Sequence, residues 1–225
     1  MFDGVKGFNN TLTSFSYFTI HFNKHTIGII IPKRFKMTNT SKKRAAILET
    51  TLELLVRNDL QSTSMNLIAK NANVGMGTIY NYFESKEVLI NELFLETKLR
   101  LKGELFESYP KDASVNERFF HVWREMCCYY KRHPQEFLFG ERYAYSPYIN
   151  ASIIEEVNKM WIVLVELFQE AQQEELIKDI PLNFFLPVVT GVINGTIRSH
   201  IMGQIVLTDE LIETTINAAW DAVKK

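Results

Sequence analysis

The chain has 225 residues, 46% of them hydrophobic and 23% charged, and a formal net charge of −1. That balance excludes a disordered chain, which has few apolar residues and a large net charge. Ten Gly and six Pro exclude collagen-like or low-complexity material. Two adjacent cysteines, Cys127 and Cys128, cannot build a disulfide framework and bridge each other poorly, so the chain reads as reduced and cytoplasmic.

Residues 1–36 stand apart from the rest of the chain, with aromatic residues scattered among Asn, Thr and Ser and no helical period. Lys6, Lys24, Lys33, Arg34 and Lys36 against Asp3 give this stretch a net charge of +4, which leaves the remainder mildly acidic. Any nucleic-acid site must then be a local patch and not a whole-protein field. The uncharged run from Gly7 to Asn23 is too polar to span a membrane and lacks the apolar region of a signal peptide. His21 and His25 have the spacing of two ligands on one helix face, but no third ligand is near, and no metal site is expected. Two readings stand for residues 1–36: a disordered extension, or a mis-assigned start ahead of Met37.

From Thr40 onward the apolar residues repeat at helical spacing. Ile47, Leu48, Leu52 and Leu55 mark a first helix, Ser41 to Arg57. Ser64 caps a short second helix that runs to Asn71, and Asn73 supplies a residue that tolerates a left-handed turn. A third short helix opens near Gly75 and ends near Phe83. Ser85 caps a long fourth helix to Glu107, stopped by Tyr109-Pro110. Ser114 and Glu117 form a capping box for the fifth, which His133-Pro134 ends. A sixth runs from Pro134 to Tyr143. Ser146-Pro147 reads as the start of one long seventh helix ending near Glu175. Pro181 opens the eighth, to Gly203, with Pro187 marking a kink or its true start, and Thr208 caps the last. The expectation is an all-α chain of nine helices with no strand.

The informative stretch is Ser64 to Lys86. Two short helices joined by a tight turn share a core of Ile68, Ala69, Ala72, Val74 and Ile79, with small residues where the helices cross. That is helix-turn-helix geometry, in which the second helix enters a DNA major groove. The stretch resembles the motif of the tetracycline-repressor-like (TetR/AcrR) transcriptional regulators, I-A-x-x-A-G-V-S-x-G-x-x-Y-x-Y/H-F-x-x-K. It matches at Ile68, Ala69, Ala72, Val74, Gly77, Tyr80, Tyr82, Phe83 and Lys86. It departs at Asn73, where glycine is usual, at Gly75, where Ser or Thr usually caps, and at Met76, often basic or polar. The likeness in sequence runs from Lys42 to about Ile90.

The resemblance implies an N-terminal three-helix DNA-binding domain, residues 37–84, and a helical effector-binding and dimerisation domain, residues 85–225. It implies a dimer on a pseudo-palindromic operator, double-stranded DNA, with release by a ligand. Ser64 would cap and reach a phosphate. Gly75, Met76, Gly77 and Thr78 would open the recognition helix against the bases, and Asn81 would read adenine. Tyr80 either packs or meets DNA. Tyr82 and Lys86 would hold backbone phosphates, and Lys42, Lys43 and Arg44 would form a basic arm.

Beyond the motif, Gly191 and Gly195, four apart beside Val188 and Val192, permit close helix approach. The last helix offers Leu211, Ile212, Thr215, Ile216 and Ala219 on one side. These two helices are expected to pair with their copies in a homodimer. Trp123, Met126, Phe137, Tyr143, Trp161 and Phe168 read as the wall of an effector pocket, with His121, Arg124, Arg142 and Asn194 as polar handles. Such a wall suits a small apolar or amphipathic effector. No phosphate loop, dinucleotide fingerprint, zincin motif or nucleophile elbow occurs, so neither enzymatic activity nor a cofactor is expected. Two alternatives stay open: a regulator that answers to a protein partner, and a helical small-molecule-binding protein that has lost DNA binding.

Overall fold

The computed structural model describes residues 39–225, with side chains from position 42. The segment 1–36 and its two readings lie outside the described residues. Ten helices run in chain order: α1 Asn39–Arg57, α2 Met65–Asn71, α3 Met76–Tyr82, α4 Lys86–Glu107, α5 Val115–Arg132, α6 Pro134–Tyr143, α7 Ala151–Met160, α8 Ile162–Gln173, α9 Leu182–Ile201 and α10 Asp209–Val223. No strand forms among the described residues; one antiparallel bridge pairs Ile177 with Lys224.

The caps stand where the sequence puts them. The N–H groups of Leu67, Val88 and Leu211 donate to the hydroxyls of Ser64, Ser85 and Thr208 at 3.1, 3.2 and 3.2 Å. Both halves of the Ser114/Glu117 box are made, at 3.0 and 3.3 Å. Each satisfies an amide that the first turn of a helix leaves unpaired.

Two hydrophobic clusters share α4. Its first half gives Leu89, Ile90, Leu93 and Phe94 to a cluster with α1, α2 and α3, which also takes Phe139 and Tyr143 of α6 and Val157 of α7. Its second half gives Leu101 and Leu105 to a cluster built from α5, α8, α9 and α10. At 22 residues, α4 is a rod of about 33 Å that belongs to both.

The long helix expected over residues 147–175 is two. Trp161 leaves the helical path at φ −96°, ψ 11° and separates α7 from α8. Its indole packs against both clusters, and the break lets Val157 face one core while Leu164 and Phe168 face the other. An unbroken apolar stripe cannot reveal this, because it does not say which neighbour covers it. The start also moves, from Ser146 to Asn150. Asn91, buried on α4, fixes the preceding loop: its amide donates to the Tyr148 carbonyl and its side-chain oxygen accepts from the Asn150 N–H, at 2.9 and 2.8 Å. α9 passes through Pro187 without interruption.

Cys127 is buried and Cys128 half-buried, neither in a disulfide. Burial pushes the Cys127 thiol up to about 12, which keeps it protonated and unreactive.

A polar cluster joins α4, α5 and α6 behind these cores. Glu136 is only 7% exposed. Arg100 pairs with it at 2.8 Å and the Tyr129 hydroxyl donates to it at 2.6 Å. Lys98 lies 5.3 Å over the Phe94 ring. Burial pulls Lys98 down to about 8, against the opposing pull of Glu136.

Candidate nucleic-acid interface

α2 and α3 are joined by a short turn. Asn73 adopts φ +53°, the left-handed conformation in which glycine is usual and asparagine tolerated. The Val74 N–H then closes the turn on the Ala69 carbonyl at 3.0 Å. Gly75 is extended and caps α3 without a side chain, and its carbonyl accepts from Thr78 and Ile79 at 2.9 and 3.2 Å. Ile79 and Phe83 are fully buried in the cluster that holds Ile68 and Ala69.

The opposite face of α3 is open. Met76 is 38% exposed and Tyr80 49%; Gly75, Gly77 and Asn81 are exposed, and Thr78 and Tyr82 half-buried. A Cβ on Gly77 would meet no atom within 4 Å, so nothing inside the chain requires a glycine there. Ser64 is exposed, and since capping uses only its oxygen lone pair, the O–H stays available to a phosphate. Lys42 and Lys43 are exposed on the first turns of α1.

Two of the expected DNA contacts are engaged elsewhere. Arg44 bridges Glu92 and Glu96 of α4 at 2.8 and 2.7 Å and lies 5.6 Å over Phe83. It is a strut between α1 and α4, not part of a free arm. Lys86 donates to the Leu60 carbonyl, and burial lowers its pKa, offset in part by Asp59. It ties the α1–α2 loop to α4 from a half-buried position. Nothing in one-dimensional spacing separates these roles from DNA contact, because the partners are remote in sequence.

Arg142, expected as a polar handle for an effector, reaches the head instead. Its Nη1 donates to the carbonyls of Leu55 and Asn58 at 2.7 and 3.1 Å, at the C-terminal end of α1, where carbonyls lack helical partners and the dipole favours a cation. Arg142→Met should cost about 2 kcal/mol in urea unfolding. A loss under about 0.5 kcal/mol would mean that water replaces it.

The remaining body residues do not converge on one site. Trp123 and Phe168 wall a void of about 10 Å³ between α5, α8, α9 and α10. Met126 and Phe137 are buried elsewhere in the same cluster. Tyr143 belongs to the head's cluster and Trp161 packs on both. His121 sits 3.1 Å from the Leu105 carbonyl and, with Arg124, borders a surface groove of about 400 Å³. Arg124 donates through Nε and Nη2 to the two carboxylate oxygens of Glu213, at 2.5 and 2.7 Å, and the Asn194 amide faces Glu141 at 3.4 Å.

The two helices expected to pair with a second copy behave differently. On α9, Gly191 and Gly195 are exposed with open space above them. Val188 and Val192 are half-buried beside them, and Phe184 and Met202 are exposed at the two ends. On α10, Ile212, Thr215, Ile216 and Ala219 are buried inside the chain and Leu211 half-buried. That stripe fastens α10 to its own subunit; the exposed positions include Thr214, Asn217, Ala218 and Asp221.

Two family models match in tandem: bacterial regulatory proteins of the tetR family over residues 47–93, and the tetracyclin repressor-like C-terminal domain over residues 94–225. They meet within α4. An HTH-type transcriptional regulator of Haemophilus influenzae is 25% identical over 180 residues, covering 80% of this chain and 94% of that protein. The regulator YhgD of Bacillus subtilis is 33% identical, but over 84 residues, 36% of this chain and 44% of its own length. A TetR family regulator from Marinobacter aquaeolei superimposes with a TM-score of 0.77 at 26% identity over 82% of this chain and 96% of that one. The regulator FadR of Bacillus subtilis, solved in complex with stearoyl-CoA, shares the fold at 20% identity and a TM-score of 0.64, over 79% of this chain and 95% of that one. The chain belongs to the tetR family of bacterial regulatory proteins: it is a helix-turn-helix, DNA-binding transcription regulator and not an enzyme.

Proposed function

We propose that the protein is a homodimeric repressor that leaves a pseudo-palindromic operator when a small apolar or amphipathic molecule enters its body. The open face of α3 carries this reading. It is helical and exposed, and it has free space where Gly77 would meet a base pair. Gly75, Met76, Gly77, Thr78, Tyr80 and Asn81 would approach the bases, with Lys42, Lys43, Ser64 and Tyr82 on the backbone. Arg44 and Lys86 hold this head in shape. Residues 37–84 would be the reading head and 85–225 the body, working in the cytoplasm.

The outward strip of α9 supports a two-fold partner: Val188, Gly191, Val192 and Gly195 form a surface of small and apolar residues that a copy can approach closely. α10 would add its exposed small residues rather than its buried stripe. FadR, with its acyl-CoA, supports an amphipathic ligand for a body of this fold. The release step is a shift between two dimer spacings, carried by α4, which is shared by both cores, and by Arg142, which couples α6 to the end of α1. A ligand moves that balance only by its differential affinity for the two forms.

Fluorescence anisotropy on DNA from upstream of the protein's own gene, at about 50 and about 200 mM salt, tests this. Binding at two subunits per site that weakens by about 10³-fold or more between the two salts is expected of a dimer making phosphate contacts on both half-sites. Binding indifferent to salt, or by single subunits, would contradict it.

A further inference from the structure

The face that α3 turns outward carries no ionic side chain. Over its seven residues, Met76–Tyr82, there is no Lys, Arg, Asp or Glu. Met76, Gly77, Tyr80 and Asn81 are exposed and share one face, at i, i+1, i+4 and i+5, while Ile79 is fully buried on the other. Met76 and Tyr80 belong to neither hydrophobic cluster, and the methionine, 38% exposed, leaves apolar surface for a partner to cover. Two cations of the head, Arg44 and Lys86, are engaged within the chain. Lys42 and Lys43 stand on α1 and Lys70 on α2, so the helix that enters the groove has no cation of its own.

In the major groove guanine is read by Arg or Lys at O6 and N7, and cytosine by Asp or Glu at N4. Adenine is read by Asn or Gln at N6 and N7, and thymine by apolar contact with its C5 methyl. α3 holds readers of the second pair and lacks those of the first. We propose that the operator positions under α3 are A·T pairs, with the Met76 side chain against a thymine methyl and the Asn81 amide on adenine N6 and N7. Thr78 and Tyr80 carry hydroxyls, which donate and accept alike and do not decide the base. The open space at Gly77 lets the helix come close enough for its neighbour Met76 to reach the methyl. This rests on the operator reading above and goes beyond it by naming the base pairs and the side chain that selects them.

The test starts from an operator selected out of random DNA by the full chain. Its thymines are then replaced one at a time by deoxyuridine, which removes only the C5 methyl, and affinity is read by anisotropy. At one position in a half-site the replacement should weaken binding about 4-fold, the worth of one buried methyl group, and about 15-fold when both half-sites are changed. Met76→Ala should lose that sensitivity and bind both forms alike. Met76→Arg should move selection at the same position from A·T to G·C. Asn81→Ala should relax the choice of an adenine elsewhere in the half-site and keep the deoxyuridine effect. All three variants should melt as the wild type does, since both side chains are exposed. Half-sites held by G·C pairs, binding indifferent to deoxyuridine at every thymine, or a deoxyuridine effect that survives Met76→Ala would each overturn the inference while the operator reading stands. An A·T preference that comes only from the shape or stiffness of the DNA gives the second of these results. Selection that enriches no inverted repeat would defeat the operator reading and this inference with it.

Discussion

Gly77→Leu should reduce operator binding by about 10³-fold, to the level of random DNA, while the protein stays folded with an unchanged or higher melting temperature. The fold has no use for glycine at this position: a Cβ there would meet nothing within 4 Å, and the residue sits in the first turn of α3. Glycine within a helix is worse than alanine by up to about 1 kcal/mol, so Gly77→Ala should stabilise slightly. The space above Gly77 is solvent in the free protein and would be base pair in the complex. A leucine there holds the helix off the groove floor and removes the specific contacts, which account for roughly 10³-fold or more over non-specific affinity. Gly77→Ala should lie between, stabler and weaker-binding at once. That opposite movement marks a residue kept for an external partner. Parallel loss of stability and binding would show instead that Gly77 serves the packing of α2 on α3.

Glu136→Ala should cost about 3 kcal/mol of unfolding free energy in urea at neutral pH. The carboxylate is almost fully buried and answers three groups on two other helices: the Arg100 guanidinium at 2.8 Å, the Tyr129 hydroxyl at 2.6 Å and the Lys98 ammonium on α4, which feels its charge. Removing one member of such a cluster leaves half-buried cations without a counter-charge, and that penalty exceeds what the intact pairs contribute. The partial exposure of Arg100 keeps the loss at the lower end of the usual range for buried pairs. Glu136→Gln keeps an acceptor for Tyr129 and should recover about a third of the loss. Adding Lys98→Met to Glu136→Ala removes the stranded ammonium and should recover more. Equal losses in the single and double variants would contradict the electrostatic account and leave only lost packing.

The parts of the fold legible in the sequence are those governed by neighbours in the chain. Ser64, Ser85, Ser114 and Thr208 cap within three residues of themselves, and each cap is in place. Asn73 turns at a position where asparagine tolerates the left-handed conformation, and Ile79 and Phe83 are inward because their spacing leaves no other face. The features that local pattern hides depend on what lies across the fold. Trp161 breaks a continuous apolar stripe because two cores compete for it. Arg44 and Lys86 look like phosphate contacts until Glu92, Glu96 and the Leu60 carbonyl are brought beside them. Ile212, Thr215, Ile216 and Ala219 form a helical stripe, and periodicity alone cannot say whether the cover is α9 of the same chain or a second copy. Arg142 carries a signal that points toward the wrong partner: a cation near an aromatic wall suits a ligand, but it finds the carbonyl end of α1.

Selection of binding sites from a random DNA pool, at fixed salt, tests the central claim most directly. A dimer reading DNA through two copies of α3 should enrich an inverted repeat whose half-sites lie one helical turn or a whole multiple apart, about 34–36 Å per turn. Gly77→Leu should enrich nothing. No enrichment by the wild-type protein, or a single half-site without its inverted partner, would contradict a dimeric operator-binding regulator.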